Sequence, residues 1–385
     1  MKVIASWWLC VLSLTRFAAG ATPDQFEALF NGRDLSGWTN VNCAPETWSV
    51  SNGTIHCTGR PIGALRTLRQ YENFIFEAEW RHLSAGGNSG IFIWASPIAA
   101  PGVPFLRGIE VQVLDNGYDV KGRNEWYTTH GDVFPIHGAT MKPFGRHNGM
   151  RAFPSEELSR SSPEWNSYRV VCSNGVIRLH VNGKEVSGGE DCNYRKGYLG
   201  LESEGAPVEF RNLRLRELPS NNAGSELSAP KDPGCRSLFT GLDLRGWKTN
   251  GATLARWGVA AEHIVSREGV PMPNATLWTE SEFSDFQLVL DARLAKSSPT
   301  NTAALATLQV GAKDGKGTEV YLEGLKPGVF QRFLVTLKGK EVTVKSEGKE
   351  TRTFPLDPDA RVHGPFGLVD RGGAVEFMNL YVRDL

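Results

Sequence analysis

Between residues 74 and 218 the chain alternates apolar and polar side chains with a period of two, in short runs separated by turn formers. Phe74 through Arg81 places Phe74, Phe76, Ala78 and Trp80 on one face and Glu77, Glu79 and Arg81 on the other. Gly90-Ile91-Phe92-Ile93-Trp94 and Ile109-Glu110-Val111-Gln112-Val113 follow the same rule. Tyr168 to Cys172, Asn174-Gly175, Val176 to Val181 and Asn182-Gly183 read as a meander whose Asn-Gly pairs suit tight hairpin turns. Tyr198 to Leu201 and Val208 to Arg216 supply two further strands. Helical periodicity is nearly absent, and Ser155-Glu156-Glu157-Leu158 reads as one capped helical turn. Many short strands with turn signals between them predict an all-β sandwich of antiparallel sheets.

The alternation also predicts which side chains leave the core. With Ile91, Ile93, Ile109, Val111 and Val113 inward, Gly90, Phe92, Trp94, Glu110 and Gln112 point outward, as do Glu77, Glu79, Arg81, Glu202 and Glu204. One sheet surface would then gather carboxylates, an amide and aromatics. Phe92 and Trp94 have no reason to sit on an ordinary wet face.

The sandwich pattern occurs twice. Leu29-Phe30-Asn31-Gly32-Arg33-Asp34-Leu35-Ser36-Gly37-Trp38 returns as Leu238-Phe239-Thr240-Gly241-Leu242-Asp243-Leu244-Arg245-Gly246-Trp247. Trp48-Ser49-Val50 returns as Trp257-Gly258-Val259, Phe74–Arg81 as Phe286–Arg293, and Val208–Leu213 as Val375–Leu380. The spacing of the blocks shortens in the middle, so the first copy holds about 45 residues that the second lacks, mainly between Gly117 and Glu164. The expected organisation is a leader at 1–21, a sandwich at 22–218, a linker at 219–234 rich in turn formers, and a shorter sandwich at 235–385.

Composition narrows the function classes. Lys plus Arg equals Asp plus Glu at 42 each, so bulk charge offers nothing to nucleic acid or to a membrane surface. Lys2, the apolar run Val3–Leu14 and the small residues Ala18-Ala19-Gly20-Ala21 read as a cleaved export signal, too short to span a bilayer comfortably. The mature protein is expected to be secreted or periplasmic, with no membrane insertion once the signal is removed. Cys10 leaves with the signal, and an exported chain permits pairings Cys43–Cys57 and Cys172–Cys192, with Cys235 left over.

Four motifs, Leu29–Trp38, Gly87-Asn88-Ser89-Gly90-Ile91-Phe92, Glu110-Val111-Gln112-Val113-Leu114-Asp115-Asn116 and Glu209-Phe210-Arg211-Asn212-Leu213, together resemble the 3-keto-disaccharide hydrolase family. They cover nearly all of residues 25–218 in the family's usual order. The resemblance implies two tandem concanavalin A-like jelly-roll sandwiches, a concave sugar-facing sheet, and action on 3-keto-glucosides by a lyase followed by a hydratase step. Where the family often carries Gly-Leu-Gln-x-His-Gly, this chain reads Gly200-Leu201-Glu202-Ser203-Glu204-Gly205, so two carboxylates replace an amide and an imidazole. The second copy reads Asn301-Thr302-Ala303 for Asn-Ser-Gly and Glu319-Val320-Tyr321 for the Glu-x-Gln strand, and lacks the inserted segment. It is read as structural or sugar-binding.

Elimination from a 3-keto-glucoside needs a base for the acidic C2 hydrogen, a stabiliser for the enolate and an acid for the leaving oxygen. Glu110 is the first candidate for base or sugar anchor. The inserted segment holds His130, His137 and His147 within eighteen residues, and a long loop in a compact domain usually has a job. His130 or His137 is the candidate acid or base, and Lys142 the enolate partner. Asn88, Gln112, Asp115, Phe92, Trp94, Glu79, Arg81, Trp126 and Glu202 are the candidate sugar contacts. No cofactor is expected; a divalent metal on His130, Asp132 and His137 is the alternative, at a spacing that matches no familiar ligand pattern. The partner is a carbohydrate, a 3-keto-glucoside or an oligosaccharide. Two other readings remain open: a non-catalytic sugar-binding or scaffold protein, and a glycosidase pairing Glu110 with Glu77, Glu79 or Glu202.

Overall fold

A computed structural model describes residues 25–119, 125–272, 274–296, 306–313, 316–358, 360 and 363–385. The expected leader and the Asn301-Thr302-Ala303 segment lie outside the described residues. Among the described residues, no helix is long and apolar enough to cross a membrane.

The first half of the chain folds into two facing antiparallel sheets. The inner sheet orders its central strands as Val133–Ile136, Gly108–Leu114, Asn88–Ala95, Tyr198–Ser203, Gly63–Thr67 and Trp38–Val41. The outer sheet is built around Phe74–His82, flanked by Asn166–Ser173 and Val208–Glu217. Between them, Phe74, Phe76, Ala78 and Trp80 from the outer sheet meet Ile91, Ile93, Ile109, Val111 and Val113 from the inner one in a buried core. The period-two pattern dictates this, because a strand buried on one face must put every second residue there. Asn52-Gly53, Asn174-Gly175 and Asn182-Gly183 all have positive φ at both positions, the backbone that a two-residue hairpin needs.

The second half repeats the design with its own core, including Trp257, Phe286, Leu288, Leu290, Phe333 and Phe377. Among the described residues its sheets hold eight and five strands, against nine and eight in the first. The architecture is thus all-β, two tandem jelly-roll sandwiches of the concanavalin A-like type. One helix, Gly251–Arg256, opens with a capping box between Asn250 and Thr253. Ser155–Leu158 forms no helical turn but a bend; its polar run cannot bury a helical face.

The structure corrects two face assignments, those of Phe74–His82 and of Trp94, and covers a third residue, Phe92, that was expected to be open. Phe74–His82 belongs to the outer sheet, so Glu77, Glu79 and Arg81 face away from the inner sheet's concave side. There Glu79 pairs with Arg211 at 2.6 Å and Arg81 with Glu209 at 2.7 Å. Trp94 does not point outward. A register shift opposite Tyr198–Gly200 coincides with a φ of 51° at Trp94, which turns the indole into the core beside Phe74, donating to the Glu72 carbonyl at 2.8 Å. Phe92 does leave the core, but it is covered by Leu106, Tyr198 and Tyr381 and is fully buried.

The inserted segment is not a loop on the sheet edge. It adds Val133–Ile136 to the inner sheet and Thr140–Pro143 to the outer one, bridging both edges. The five cysteines among the described residues are free thiols; Cys43 lies near Cys57 and Cys172 near Cys192, unbonded, and burial raises each of these four thiols. The 219–234 segment is strapped to the first sandwich: Asn73 donates to the Pro219 carbonyl at 2.7 Å, Gln70 to that of Ala229 at 2.7 Å, and the buried Arg66 pairs with Asp232.

Trp94→Ala should remove a fully buried indole and its hydrogen bond, costing about 3–5 kcal/mol of stability in urea unfolding; an exposed Trp94 would give a near-neutral result.

Candidate active site

A concave pocket of about 180 Å³ opens on the inner sheet, lined by Asn88, Glu110, Gln112, Phe134, Arg151, Glu202 and Glu204, with Phe105 and His137 at its rim. Three neighbouring strands build its floor. Asn88–Ala95 runs in the middle, with Gly108–Leu114 on one side and Tyr198–Ser203 on the other. Glu110 and Glu202 therefore flank the middle strand at Gly90, and the absent side chain is what admits them. A Cβ at Gly90 would lie 2.8 Å from Glu110 Oε1 and 2.9 Å from Glu202 Oε2.

The site is drier than a surface carboxylate pair. Glu110, Glu202 and Gln112 are all buried. Burial, with the Glu204 charge behind it, raises the Glu110 pKa, and the Arg151 charge only partly opposes this. Burial and the charges of Glu110 and Glu204 push Glu202 well up. Glu204, also raised by burial, accepts from Asn88 Nδ2. Glu202 Oε2 is buried without a hydrogen-bond partner. Two close carboxylates in a low-dielectric gap cannot both stay ionised at neutral pH, so at least one proton is retained there.

The opposite wall comes from the inserted segment. Phe134 pairs with Glu110 across the strands and so faces the same side. The Arg151 guanidinium lies 3.4 Å from the Phe134 ring centre, a cation–π contact. It donates to Asp132 at 3.0 Å and reaches Gln112 Oε1 at 3.5 Å. Asp132, fully buried and raised by that burial, also accepts from the Thr128 amide at 2.8 Å. Gln112 Nε2 donates to Asn88 Oδ1 at 2.9 Å, completing a chain from Arg151 to Glu204. His137, at a φ of 50°, stacks on Phe105 with ring centres 5.5 Å apart and planes within 3°, and burial lowers its pKa.

Of the residues singled out from sequence, Glu110, Glu202, Asn88, Gln112 and His137 meet here. His130 does not: its ring contacts Ser159 Oγ at 3.1 Å and Glu157 at 3.5 Å, tying the inserted segment down beside Asn116. Lys142 stands exposed on the outer sheet, paired with Glu190 at 2.7 Å. Asp115 shapes a turn. Burial works against its ionisation, yet the amides of Gly86, Ser162 and Gly117 hold its carboxyl below the usual range. Trp126 is 73% exposed and does not line the pocket. His130, Asp132 and His137 diverge to different partners, and among the described residues no group of three His, Cys, Asp or Glu side chains is placed to hold a metal ion. Glu77 and Glu79, on the outer sheet, cannot flank a bond held at Glu110. Sequence reasoning missed Arg151, Phe134 and Phe105; the alternation in Val133–Ile136 was the available signal for Phe134.

A carboxylate-lined pocket on the inner sheet suits a hydroxyl-rich ligand, and the family match makes the first sandwich a carbohydrate-active domain. Residues 25–216 match the family model of the 3-keto-alpha-glucoside-1,2-lyase-like domain, and the first sandwich belongs to that family. A 3-keto-disaccharide hydrolase of Bacteroides thetaiotaomicron is 23% identical over 251 residues, covering 51% of this chain and 79% of that protein. Among solved structures, a candidate glycosyl hydrolase of Parabacteroides distasonis is 23% identical, covering 50% of this chain and 94% of its own, at a TM-score of 0.40. The carbohydrate-binding module CBM66 of Bacillus subtilis is 14% identical, covering 47% and 96%, at 0.34.

Raised carboxylates fix a sign for stability. A native pKa above the unfolded value means that the folded state holds more protons, so stability is full below the unfolded pKa and is lost as pH rises through the folded one. Glu202→Gln should therefore raise the melting temperature at pH 8.5 more than at pH 5.5, each retained pH unit being worth about 1.4 kcal/mol. Equal melting shifts at both pH values would show that Glu202 is ionised in the native state.

Proposed function

We propose that the first sandwich cleaves 3-keto-glucosides outside the cytoplasm, by elimination and then hydration. The observation that supports this best is the pair of buried carboxylates, Glu110 and Glu202, leaning into the gap over Gly90, both pushed up by burial and by neighbouring carboxylate charge. One member ionised and one protonated is the set that an elimination consumes: a base for the C2 hydrogen and an acid for the leaving oxygen.

In the first step the ionised carboxylate takes the C2 proton, and the C2–H electrons form a C2–C3 double bond while the C3 carbonyl pair moves onto its oxygen, giving the enolate. The enolate collapses, the C3 carbonyl re-forms, a C1–C2 double bond appears and the C1–O bond breaks. The protonated carboxyl delivers its proton to the departing oxygen. Arg151 takes the part that Lys142 was expected to play, offering positive charge to the enolate oxygen from the face of Phe134. In the second step water adds across the double bond, hydroxyl at C1 and proton at C2. The sum is hydrolysis, with no redox change and no cofactor consumed. Asn88, Gln112 and Glu204, which line the pocket, orient hydroxyls in this reading, and Phe105 and Phe134 meet ring faces.

Purified protein is incubated with 3-keto-trehalose and with trehalose, with and without chelator. Turnover of the keto-sugar alone is expected. Glu110→Gln should lower kcat by about 100-fold or more with the fold intact, while Lys142→Ala leaves it unchanged. Retained sugar binding with no keto-sugar turnover overturns the reading in favour of a lectin.

A further inference from the structure

Between the strands Asn88–Ala95 and Gly108–Leu114, residues 96–107 form a flap whose far end carries Phe105 to the pocket rim. The flap is closed internally: the Ala100 amide donates to the Phe105 carbonyl at 2.8 Å, and the Ser96 amide to that of Arg107 at 2.9 Å. Its outer side is held by the second sandwich. Asn379 Nδ2 donates to the carbonyls of Val103 at 2.9 Å and Ala100 at 3.2 Å, and to Asp291 Oδ2 at 2.6 Å. The Gly102 amide donates to the same Asp291 oxygen at 2.8 Å, and Tyr381 Oη accepts from the Ala99 amide at 3.3 Å. Asn42 ties the two sandwiches, donating to Asn379 Oδ1 at 2.6 Å and accepting from Tyr381 at 2.7 Å. Asp291 is fully buried and held by Arg332 at 2.7 Å. Leu106, next to Phe105, is buried with Tyr381 and Phe92 in a small core shared by both sandwiches.

We propose that the second sandwich is a brace for the carbohydrate pocket: Asn379 and Asp291 grip the flap backbone so that Phe105 lies flat on His137 and forms the pocket wall. Asn379 and Asp291 are positioning residues, since neither lines the pocket. The duplication itself provides a control. Asn379 occupies a strand bulge at a φ of 52°, and its counterpart in the first sandwich, Asn212, occupies the matching bulge at 54°. Asn212 borders an open cleft of about 590 Å³ on the outer sheet and grips nothing comparable in the described residues. The same bulge acts as a clamp in the second sandwich and, among the described residues, not in the first.

The proposal rests on the pocket being the sugar site, but its test is read first without substrate. Asn379→Gly keeps the left-handed backbone and removes the grip; Asn212→Gly makes the same change where no grip exists. In proton NMR, the His137 ring resonance, assigned through His137→Gln, should lose the Phe105 ring-current shift in Asn379→Gly and keep it in Asn212→Gly. Both variants should melt cooperatively. With 3-keto-trehalose, Asn379→Gly should raise KM by about 10-fold with a smaller change in kcat. A His137 resonance unmoved by Asn379→Gly, or moved equally by Asn212→Gly, overturns the brace. Absence of turnover in the parent protein overturns the proposed reaction and leaves the NMR result to decide the brace.

Discussion

Crowding of negative charge in a dry place is the constraint on which the first sandwich is organised. Glu110 and Glu202 stand on strands either side of Gly90, buried together, and each would be far more comfortable in water. A retained proton relieves the pair at neutral pH. The surrounding parts answer the charge that remains: Arg151 supplies positive potential, Asn88 donates to Glu204, and Gln112 links the two. The fold holds this arrangement because strands are stiff and their spacing is fixed by the hydrogen-bond ladder. A loop could relax away from it; a three-strand floor cannot.

Much of the fold was legible in the chain. Alternation in Phe74–Arg81 and Ile109–Val113 gave the core faces correctly, and the Asn-Gly pairs fell at the hairpins. Period-two reasoning assigns a face within one strand but does not say which of two sheets the strand joins, so Glu79 and Arg81 were placed with Glu110 while standing on the other sheet. It also fails at a bulge, where one residue is inserted and every later side chain changes side; Trp94 is such a case. Residues that act on each other from sequence-distant strands, such as Arg151 and Asp132 with Gln112, leave no local pattern at all. The histidines illustrate the difference between proximity in sequence and in space. Of His130, His137 and His147, only His137 reaches the pocket, because the inserted segment is split between both sheets.

The two sandwiches differ in what they add to the shared design. The added segment of the first copy carries Phe134 and Arg151 on strands and His137 on a turn, and these line one side of the pocket. The second copy lacks them, and its Glu319 is occupied by Arg371 and by the Tyr321 hydroxyl at 2.8 Å. The second copy's eight-stranded sheet, through Asp291, Asn379 and Tyr381, meets the first copy's flap.

Arg66 gives the join a further property. Its guanidinium is buried under the first sandwich, with Nε on the Pro97 carbonyl at 2.6 Å and the other end on Asp232. One side chain thus fastens the base of the flap and the segment that leads to the second sandwich. The connecting segment is therefore part of the tertiary structure rather than a spacer whose length and composition are free. Cutting the chain there to isolate either half would strand a buried cation and uncover the grip on the flap, so neither fragment would reproduce its counterpart in the whole protein. The pocket of the first sandwich is thus fastened, through one buried cation, to the segment that leads into the second.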